Sequence, residues 1–388
     1  MRILSFSYCF PNHASPTWGV FVQQRLAALA RRTELQVAAP VPSFPILSHL
    51  RPWPGPAKEQ WQGLTVHRPR FFCVPGLFKN HDARLYARGL RGWLAGLVRT
   101  WRPDVLDAHF AWPDGVGVSL LARRFGLPYA ITLRGKIYPC MDIPSQRRQC
   151  SEALIGAAAV ICVSGPLAEA ARELGADAGR VFVIPNGVDT EQFCPRDKAE
   201  ARRELHLPAE GRLLVTAAHL GPRKGHREVI QALKLLPPDV RLVIVGGCAH
   251  GSGGGELLAL AEDLGLGGRV ILAGSQPYAK VPLYFNAANA SVLASYREGC
   301  PNAVLESLAC GTPVVATRVG AVPDLVTAGL NGEIVPPRQV QPLAEALAVT
   351  LERLWSAEAI SRSPSVRTWS AVAQQVHDVL ERALEAPA

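Results

Sequence analysis

The sequence predicts an α/β protein made of two doubly wound halves, each a parallel sheet with helices on both faces. Three observations lead there. Short apolar runs alternate with amphipathic stretches along nearly the whole chain, the pattern of strands joined by crossover helices. The alternation stops at the turn-rich Pro185-Asn-Gly-Val-Asp189 and restarts at Leu213. A length of 388 residues accommodates two domains of ordinary size.

In order, Arg2–Tyr8 reads as a strand, Val20–Arg31 as a helix and Leu35–Pro40 as the next strand. Val41–Pro56 is Pro-rich and reads as a long loop, of the kind that is usually functional or mobile. Asp82–Arg102 reads as a helix, with Tyr86, Leu90, Trp93, Leu94, Leu97 and Trp101 on one face and Arg84, Arg88, Arg91, Arg99 and Arg102 on the other. Strand Asp104–His109, helix Val116–Phe125 and strand Tyr129–Leu133 follow. Leu154–Val163 is the longest apolar run; Gly156 divides it into a helix end and a buried strand. A helix through Leu174 and the strand Val181–Ile184 complete the first half. The second half has strands at Leu213–Ala218, Val240–Gly246, Val270–Ala273, Ala290–Ala294, Pro313–Ala316 and Gly332–Val335, with helices between them. A last helix, about Val366–Leu384, carries Trp369, Val372, Val376, Val379 and Leu380 on one face and has the means to return to the first half. The expected partition is therefore 1–187 and 188–365, both Rossmann-like, with 366–388 crossing back. Such sheets bind ligands beyond the carboxyl ends of their strands, and two facing halves would enclose a cleft.

Composition narrows the function. Hydrophobic residues at 48% and charged residues at 19% exclude a disordered chain. No apolar run approaches the ~20 residues that span a bilayer, and Met1-Arg-Ile-Leu-Ser-Phe6 lacks the layout of a signal peptide. The nine cysteines include no Cys-x-x-Cys pair and no zinc spacing, which fits a reducing cytoplasm. The net charge of +9 is unevenly spread. Residues 1–187 hold 22 Lys and Arg against 11 Asp and Glu, a surplus of 11, whereas residues 188–388 hold 19 against 21. The basic half calls for an anionic partner or is simply kept soluble by its charge. Arg84, Arg88 and Arg91 make an anionic membrane surface one candidate, against a plain solvated face.

The strongest local signal is Glu298-Gly-Cys-Pro-Asn-Ala-Val-Leu-Glu306, which follows a strand and opens a helix. Gly299 permits a tight turn and Pro301 suits a first helical turn. Free N–H groups at a helix start favour anionic or polar ligand oxygens, and the two carboxylates flanking the turn can accept from sugar and ribose hydroxyls. The Gly-rich run Gly246–Gly255 follows a strand but is neither a dinucleotide fingerprint nor a P-loop.

The second half closely resembles the family-4 glycosyltransferases, a large retaining group of GT-B fold. The resemblance rests on Ile184-Pro-Asn-Gly-Val-Asp189, Gly221-Pro-Arg-Lys-Gly-His226, Glu298 to Glu306, Leu308-Ala-Cys-Gly-Thr-Pro-Val-Val-Ala316 and Gly329–Pro336, in order and spacing over about Val181–Pro336. The first half matches more loosely, through Thr17–Val22, Ala108–Gly115 and Thr132-Leu-Arg-Gly135. The resemblance implies that Glu298 contacts the donor sugar and that the backbone of Gly299, Cys300, Pro301 and Asn302 helps hold sugar or diphosphate. It implies that Glu306 binds the ribose and Lys224 neutralises the diphosphate. The family's second cation, an arginine in a Gly-Arg-Leu segment, is replaced here by Ala218-His-Leu220, so His219 or Arg223 is left to substitute. Gly19 matches a glycine whose backbone approaches the diphosphate, Gly246 lines the donor site, and Gln276 lies where relatives meet the nucleobase. Arg134 stands where many relatives carry histidine; it faces donor phosphate or an acidic acceptor, or forms an internal salt bridge. His109 ends a strand at the same rim, with Asp114 nearby as a candidate acceptor contact.

The expected activity is retaining sugar transfer from a nucleotide diphosphate to an acceptor hydroxyl on a lipid-linked or cell-envelope glycan, on the inner face of the membrane or in the cytoplasm. The chain has no Asp-x-Asp motif, so neither a metal nor another cofactor is expected. A sugar-nucleotide epimerase of the same fold is the main alternative and a polyanion-binding protein a distant one. Nucleic acid is not an expected partner, because no recognised binding motif accompanies the charge.

Overall fold

A computed structural model describes residues 1–44, 55–247 and 253–385 of the chain. They form two compact units: Met1–Asn186 together with the segment from Trp369 onward, and Gly187–Thr368. The division thus falls after Asn186, and the last helix starts three residues later than the periodicity suggests.

The first unit runs β1 (Arg2–Phe6), α1 (Val20–Ala30), β2 (Glu34–Ala38), β3 (Val41–Ser43), β4 (Lys58–Trp61), β5 (Leu64–His67), β6 (Arg70–Phe72), α2 (Asp82–Thr100) and β7 (Val105–His109). It continues with α3 (Val116–Phe125), β8 (Tyr129–Leu133), α4 (Ile137–Met141), α5 (Pro144–Ile155), β9 (Ala159–Cys162), α6 (Gly165–Glu173) and β10 (Val181–Val183). Eight strands make its main sheet, in the order β10-β9-β8-β7-β1-β2-β5-β4. All pairings are parallel except β4 with β5. β7 and β8 are buried along their whole length, as a parallel sheet covered on both faces requires, and β7 carries the polar Asp107 and His109 within that burial.

The region from Val41 differs from the expected loop. Val41–Ser43 is a strand, paired in parallel with β6 as a separate ribbon in which Pro42 is tolerated. The hairpin of β4 and β5 is also new. Its turn, Gln62-Gly63, has positive φ at both residues (47° and 83°), as a two-residue hairpin loop requires. Residues 45–54 of the Pro-rich stretch lie outside the described residues. α2 buries Tyr86, Leu90 and Leu94 and exposes Arg84, Arg88, Arg91 and Arg99.

The second unit runs α7 (Lys198–Glu204), β11 (Arg212–Ala217), α8 (His226–Leu233), β12 (Val240–Val245), α9 (Gly253–Asp263), β13 (Val270–Gly274), α10 (Val281–Ala287) and β14 (Ala290–Leu293). Then come α11 (Asn302–Ala309), β15 (Val314–Thr317), α12 (Val322–Leu325), β16 (Gly332–Val335), α13 (Val340–Glu352) and α14 (Ala357–Ser361). Its six strands are all parallel, in the order β13-β12-β11-β14-β15-β16. Alternate residues feed a core on each face. Val215, Val243, Leu293 and Val314 point to one, and Leu214, Leu242, Val292 and Val315 to the other.

α15 (Trp369–Glu385) belongs to the first unit. Its Trp369, Val372, Val376, Val379 and Leu380 cover Ile3, Val105, Ala130 and Ile161 of the sheet and Leu29 of α1. Trp369 Nε1 also donates to Gln24 Oε1 at 2.9 Å. The Pro185–Asp189 segment serves both units. The Asn186 side chain accepts from Arg134 in the first, while Val188 N donates to the Arg367 carbonyl in the second.

Candidate active site

The strand order of the second unit reverses between β11 and β14, which lie side by side. In an open parallel sheet the loops beyond such a switch point diverge and leave room for a ligand. Lys224 lies on the loop after β11 and Glu298 on the loop after β14. Their side chains form an ion pair, Nζ to Oε1 at 2.6 Å, although 74 residues separate them.

Backbone fit makes that meeting. Gly225 has φ +68°, and a Cβ there would collide with the Ala294 carbonyl, so the Lys224 turn lies flush on the end of β14. Tyr296 N donates to the Arg223 carbonyl at 2.8 Å, tying the two loops together. Beyond them, the Tyr296 hydroxyl donates to Glu228 and Arg338 stacks over its ring at 4.5 Å. On the far side, Ala321 N donates to the Gly299 carbonyl at 2.8 Å. Gly320, at φ +54°, allows that loop to press on Glu298 and Gly299. Gly320, Tyr296 and Arg338 carry no motif of their own and went unseen in the sequence.

α11 opens directly after this turn. Pro301 is its cap residue, extended at φ −74° and ψ 110°, rather than a member of the first turn. Gly299, Cys300 and Asn302 are half-buried beside Glu298. Glu306, further into α11, is buried, and its Oε1 accepts from the Tyr278 hydroxyl at 2.9 Å. Burial raises its carboxyl pKa to about 7, against the lowering effect of the Tyr278 hydrogen bond. Tyr278 was not anticipated; it follows Gln276-Pro277 and is fixed by its ring against Phe193, 5.3 Å between centroids. The Gln276 side chain donates to the Ala273 carbonyl at 2.5 Å.

Gly246 ends β12. Its φ of +157° and the Ala218 carbonyl that a Cβ would strike leave no space for a side chain. Gly247 accepts from Leu220 N at 3.1 Å, so these glycines hold the segment carrying His219. The side chains of His219 and Arg223 are both exposed, so burial does not separate the two candidates, and Arg223, always charged, is the one to test first. The part of the Gly-rich run from Cys248 to Ser252 lies outside the described residues.

The first-unit candidates sit differently. Gly19, φ +77°, precedes α1 with no room for a Cβ against the Cys9 carbonyl. His109 is fully buried rather than presented at a rim, and its Nε2 donates to Asp107 Oδ2 at 3.1 Å. Burial lowers its pKa to about 4, so it is neutral. Burial works against the Asp107 charge too, but the His109 hydrogen bond, the buried Arg25 and the Ser5 hydroxyl at 2.8 Å outweigh it and hold that carboxyl low. Asp114 is also enclosed. Its Oδ1 accepts from Tyr8 N and the Tyr86 hydroxyl, each at 3.0 Å, and burial raises its pKa to about 7. Arg134 is buried, with Nη1 on Asn186 Oδ1 at 2.9 Å and its guanidinium 5.0 Å from the Phe21 ring centroid. His109, Asp114 and Arg134 therefore brace the carboxyl edge of the sheet from inside. Arg84, Arg88 and Arg91 lie on the exposed face of α2 and take no part in these contacts.

Comparison with known proteins gives a consistent result. The family model described as Glycosyltransferase Family 4 matches residues 18–192, and that described as glycosyl transferases group 1 matches residues 197–361. The putative teichuronic acid biosynthesis glycosyltransferase TuaC of Bacillus subtilis is 30% identical over 378 residues, covering 92% of this chain and 91% of that protein. A D-inositol 3-phosphate glycosyltransferase of Thermobispora bispora is 30% identical, with 85% and 83% covered. Among solved structures, sucrose-phosphate synthase of Thermosynechococcus elongatus superposes with TM-score 0.82 at 22% identity, covering 100% of both chains. Anabaena HepE in complex with UDP and glucose gives TM-score 0.76 at 22% identity, covering 98% and 100%. The neighbours' shared fold is GT-B.

Proposed function

The chain belongs to the family-4, group 1 glycosyltransferases, and from that premise we propose that it moves a sugar from a nucleotide diphosphate to an acceptor hydroxyl with retention of anomeric configuration. The observation that carries the proposal is the Lys224–Glu298 pair at the switch point of the second sheet, beside the start of α11. In this reading Lys224 and the α11 amides stabilise the diphosphate as it leaves, with His219 or Arg223 as the second cation. Glu298 accepts from the hydroxyls of the donor sugar and sets its position. Glu306 takes the ribose diol, with Tyr278 orienting its carboxylate.

Retention then follows a same-face route. The bond from the anomeric carbon to the diphosphate oxygen breaks, the acceptor oxygen bonds to that carbon on the same side, and the acceptor proton passes to the departing phosphate. Catalysis is mostly positioning and leaving-group stabilisation, and no metal is required. His109 and Arg134 serve as positioning residues behind the edge of the first sheet. The name of the Bacillus relative and the basic first half support a cell-envelope glycan as the acceptor class. The UDP bound by HepE supports a nucleoside diphosphate as the leaving group. Peripheral membrane contact through Arg84, Arg88 and Arg91 would bring a lipid-linked acceptor within reach. Among the described residues, no helix is long and apolar enough to cross a membrane.

The test is a thermal-shift screen of sugar nucleotides, followed by transfer assays with the best donor. A donor at 100 times its Kd adds about 2.7 kcal/mol of stability. Glu298→Ala should abolish transfer and Lys224→Ala should cut kcat severely, both with an unchanged circular dichroism spectrum. Near-normal turnover in Glu298→Ala would remove this site assignment. Chelation with EDTA should leave the rate unchanged, and the product anomer should match the donor. Conversion of the donor with no acceptor present would favour an epimerase instead.

A further inference from the structure

In the first unit the strand order turns about β1, which lies between β2 and β7. The loops after β1, β7 and β8 meet there and gather one cation with three aromatic rings. Lys136, just past β8, donates to the Tyr8 hydroxyl. Its Nζ lies 4.7 Å from the ring centroid of Tyr8, 5.7 Å from that of Phe110 and 5.9 Å from that of Trp18. These are separations at which a ring face attracts a cation.

The cluster has a fixed back and an open front. Tyr8 is held by its own N–H on Asp114 and by its ring against Phe110, 5.5 Å between centroids. Asp114 is held in turn by the Tyr86 hydroxyl. Lys136 is exposed, and Trp18 is 43% exposed. An ammonium has three N–H donors. One is given to Tyr8; among the described residues no carboxylate takes the other two. Arg134, two residues earlier, is committed to Asn186 and Phe21 inside the unit. Lys136 is thus a cation held in place by neutral groups, with donors to spare and an exposed indole beside it. An ammonium arranged in this way gains more from an anionic ligand than from a neutral one.

We propose that Lys136 and Trp18 form a subsite for the anionic group of the acceptor, a glycan bearing a carboxylate or a phosphate. The anion takes the spare N–H donors of Lys136, and the C–H face of its sugar rests on Trp18. The subsite rests on the glycosyltransferase reading and names the substrate class for it.

The experiment compares wild type with Lys136→Gln, Lys136→Arg and Trp18→Ala. The probes are a uronic acid oligosaccharide, a glycosyl phosphate and the neutral oligosaccharide of matching length. Calorimetric binding is measured without donor, and transfer is measured with it. Wild type should bind at least one anionic probe tenfold or more tighter than the neutral one, and which one identifies carboxylate or phosphate as the source. Lys136→Gln should lose that preference and leave the neutral acceptor and donor hydrolysis unchanged. Lys136→Arg should retain most of it. Trp18→Ala should weaken all saccharides alike. Equal affinity for anionic and neutral probes in wild type, or a Lys136→Gln defect that appears as raised donor KM with every acceptor, overturns the proposal. Because the binding arm uses no donor, it reports on the subsite even if no sugar transfer is found; absence of transfer with preference intact would count against the enzymatic reading alone.

Discussion

If Glu306 holds the donor ribose as proposed, this single residue links donor binding to pH. In water a glutamate loses its proton at about pH 4.3, but burial holds that of Glu306 to about 7. Between those values the folded chain keeps a proton that the unfolded chain has lost. Stability therefore falls as pH rises through that window, and the cost is complete above 7. Replacing Glu306 with Gln removes this term, so the thermal midpoint of Glu306→Gln relative to wild type should climb from pH 5 to pH 8. The comparison with wild type cancels the similar contribution of Asp114, also raised to about 7. Only the ionised carboxylate offers its full acceptor capacity to a ribose diol. Donor affinity of wild type should accordingly strengthen from pH 6 to pH 8, and that of Glu306→Gln should be weak and flat. A pH-independent donor Kd in wild type would separate Glu306 from the nucleotide. The two glutamates and Lys224 were legible because they sit in a motif of fixed spacing. Tyr278 and Lys136 were not, since a lone tyrosine or lysine acquires meaning only from what three separate loops bring to it.

At the level of elements, glycines decide how closely the loops approach. Gly246 lies against the Ala218 carbonyl, and Gly246→Ala should destabilise the protein by more than about 1 kcal/mol while weakening donor binding. Chemical denaturation and donor titration would check the two effects together; an unperturbed donor Kd would detach β12 from the site. α2 makes a separate prediction. Each arginine near an anionic surface contributes about 1 kcal/mol, so neutralising Arg84, Arg88 and Arg91 should reduce binding to phosphatidylserine vesicles on the order of a hundredfold. Wild-type binding should also weaken with salt. Equal affinity for neutral vesicles would remove the membrane from this face. Leu77 and Phe78, 61% and 65% exposed just ahead of α2, add apolar groups to the same region. Most of the parallel strands could be read directly as short runs rich in apolar residues, even where a buried polar side chain such as Asp107 of β7 interrupts them. The β4–β5 hairpin could not: Lys58-Glu-Gln-Trp61 is an edge strand with polar side chains, and its Gln-Gly turn lacks the usual Asn or Asp.

Across the whole molecule, the charge divides with the fold. The surplus of 11 lies in residues 1–187, nearly all of them in the first unit, and the donor-site candidates of the second unit lie in a slightly acidic segment. The fold class was legible because the alternation of strand and helix is long and regular. The candidate donor-site residues were legible through their motifs, whereas the strand order that brings those after β11 and β14 together was not. What the sequence could not convey was the depth of His109, Asp114 and Arg134, since a polar residue at a strand end looks the same whether it faces outward or braces the sheet from behind. The last helix has a further consequence. The five apolar side chains of α15 each contribute roughly 1.5–3 kcal/mol on burial against the first sheet. The second unit, by contrast, is contiguous from Gly187 to Thr368. During vectorial synthesis it has all its residues outside the ribosome before the first unit can close its core. The half made first is therefore the half finished last, and a released chain truncated before Trp369 should display a folded second unit beside a first unit still accessible to protease.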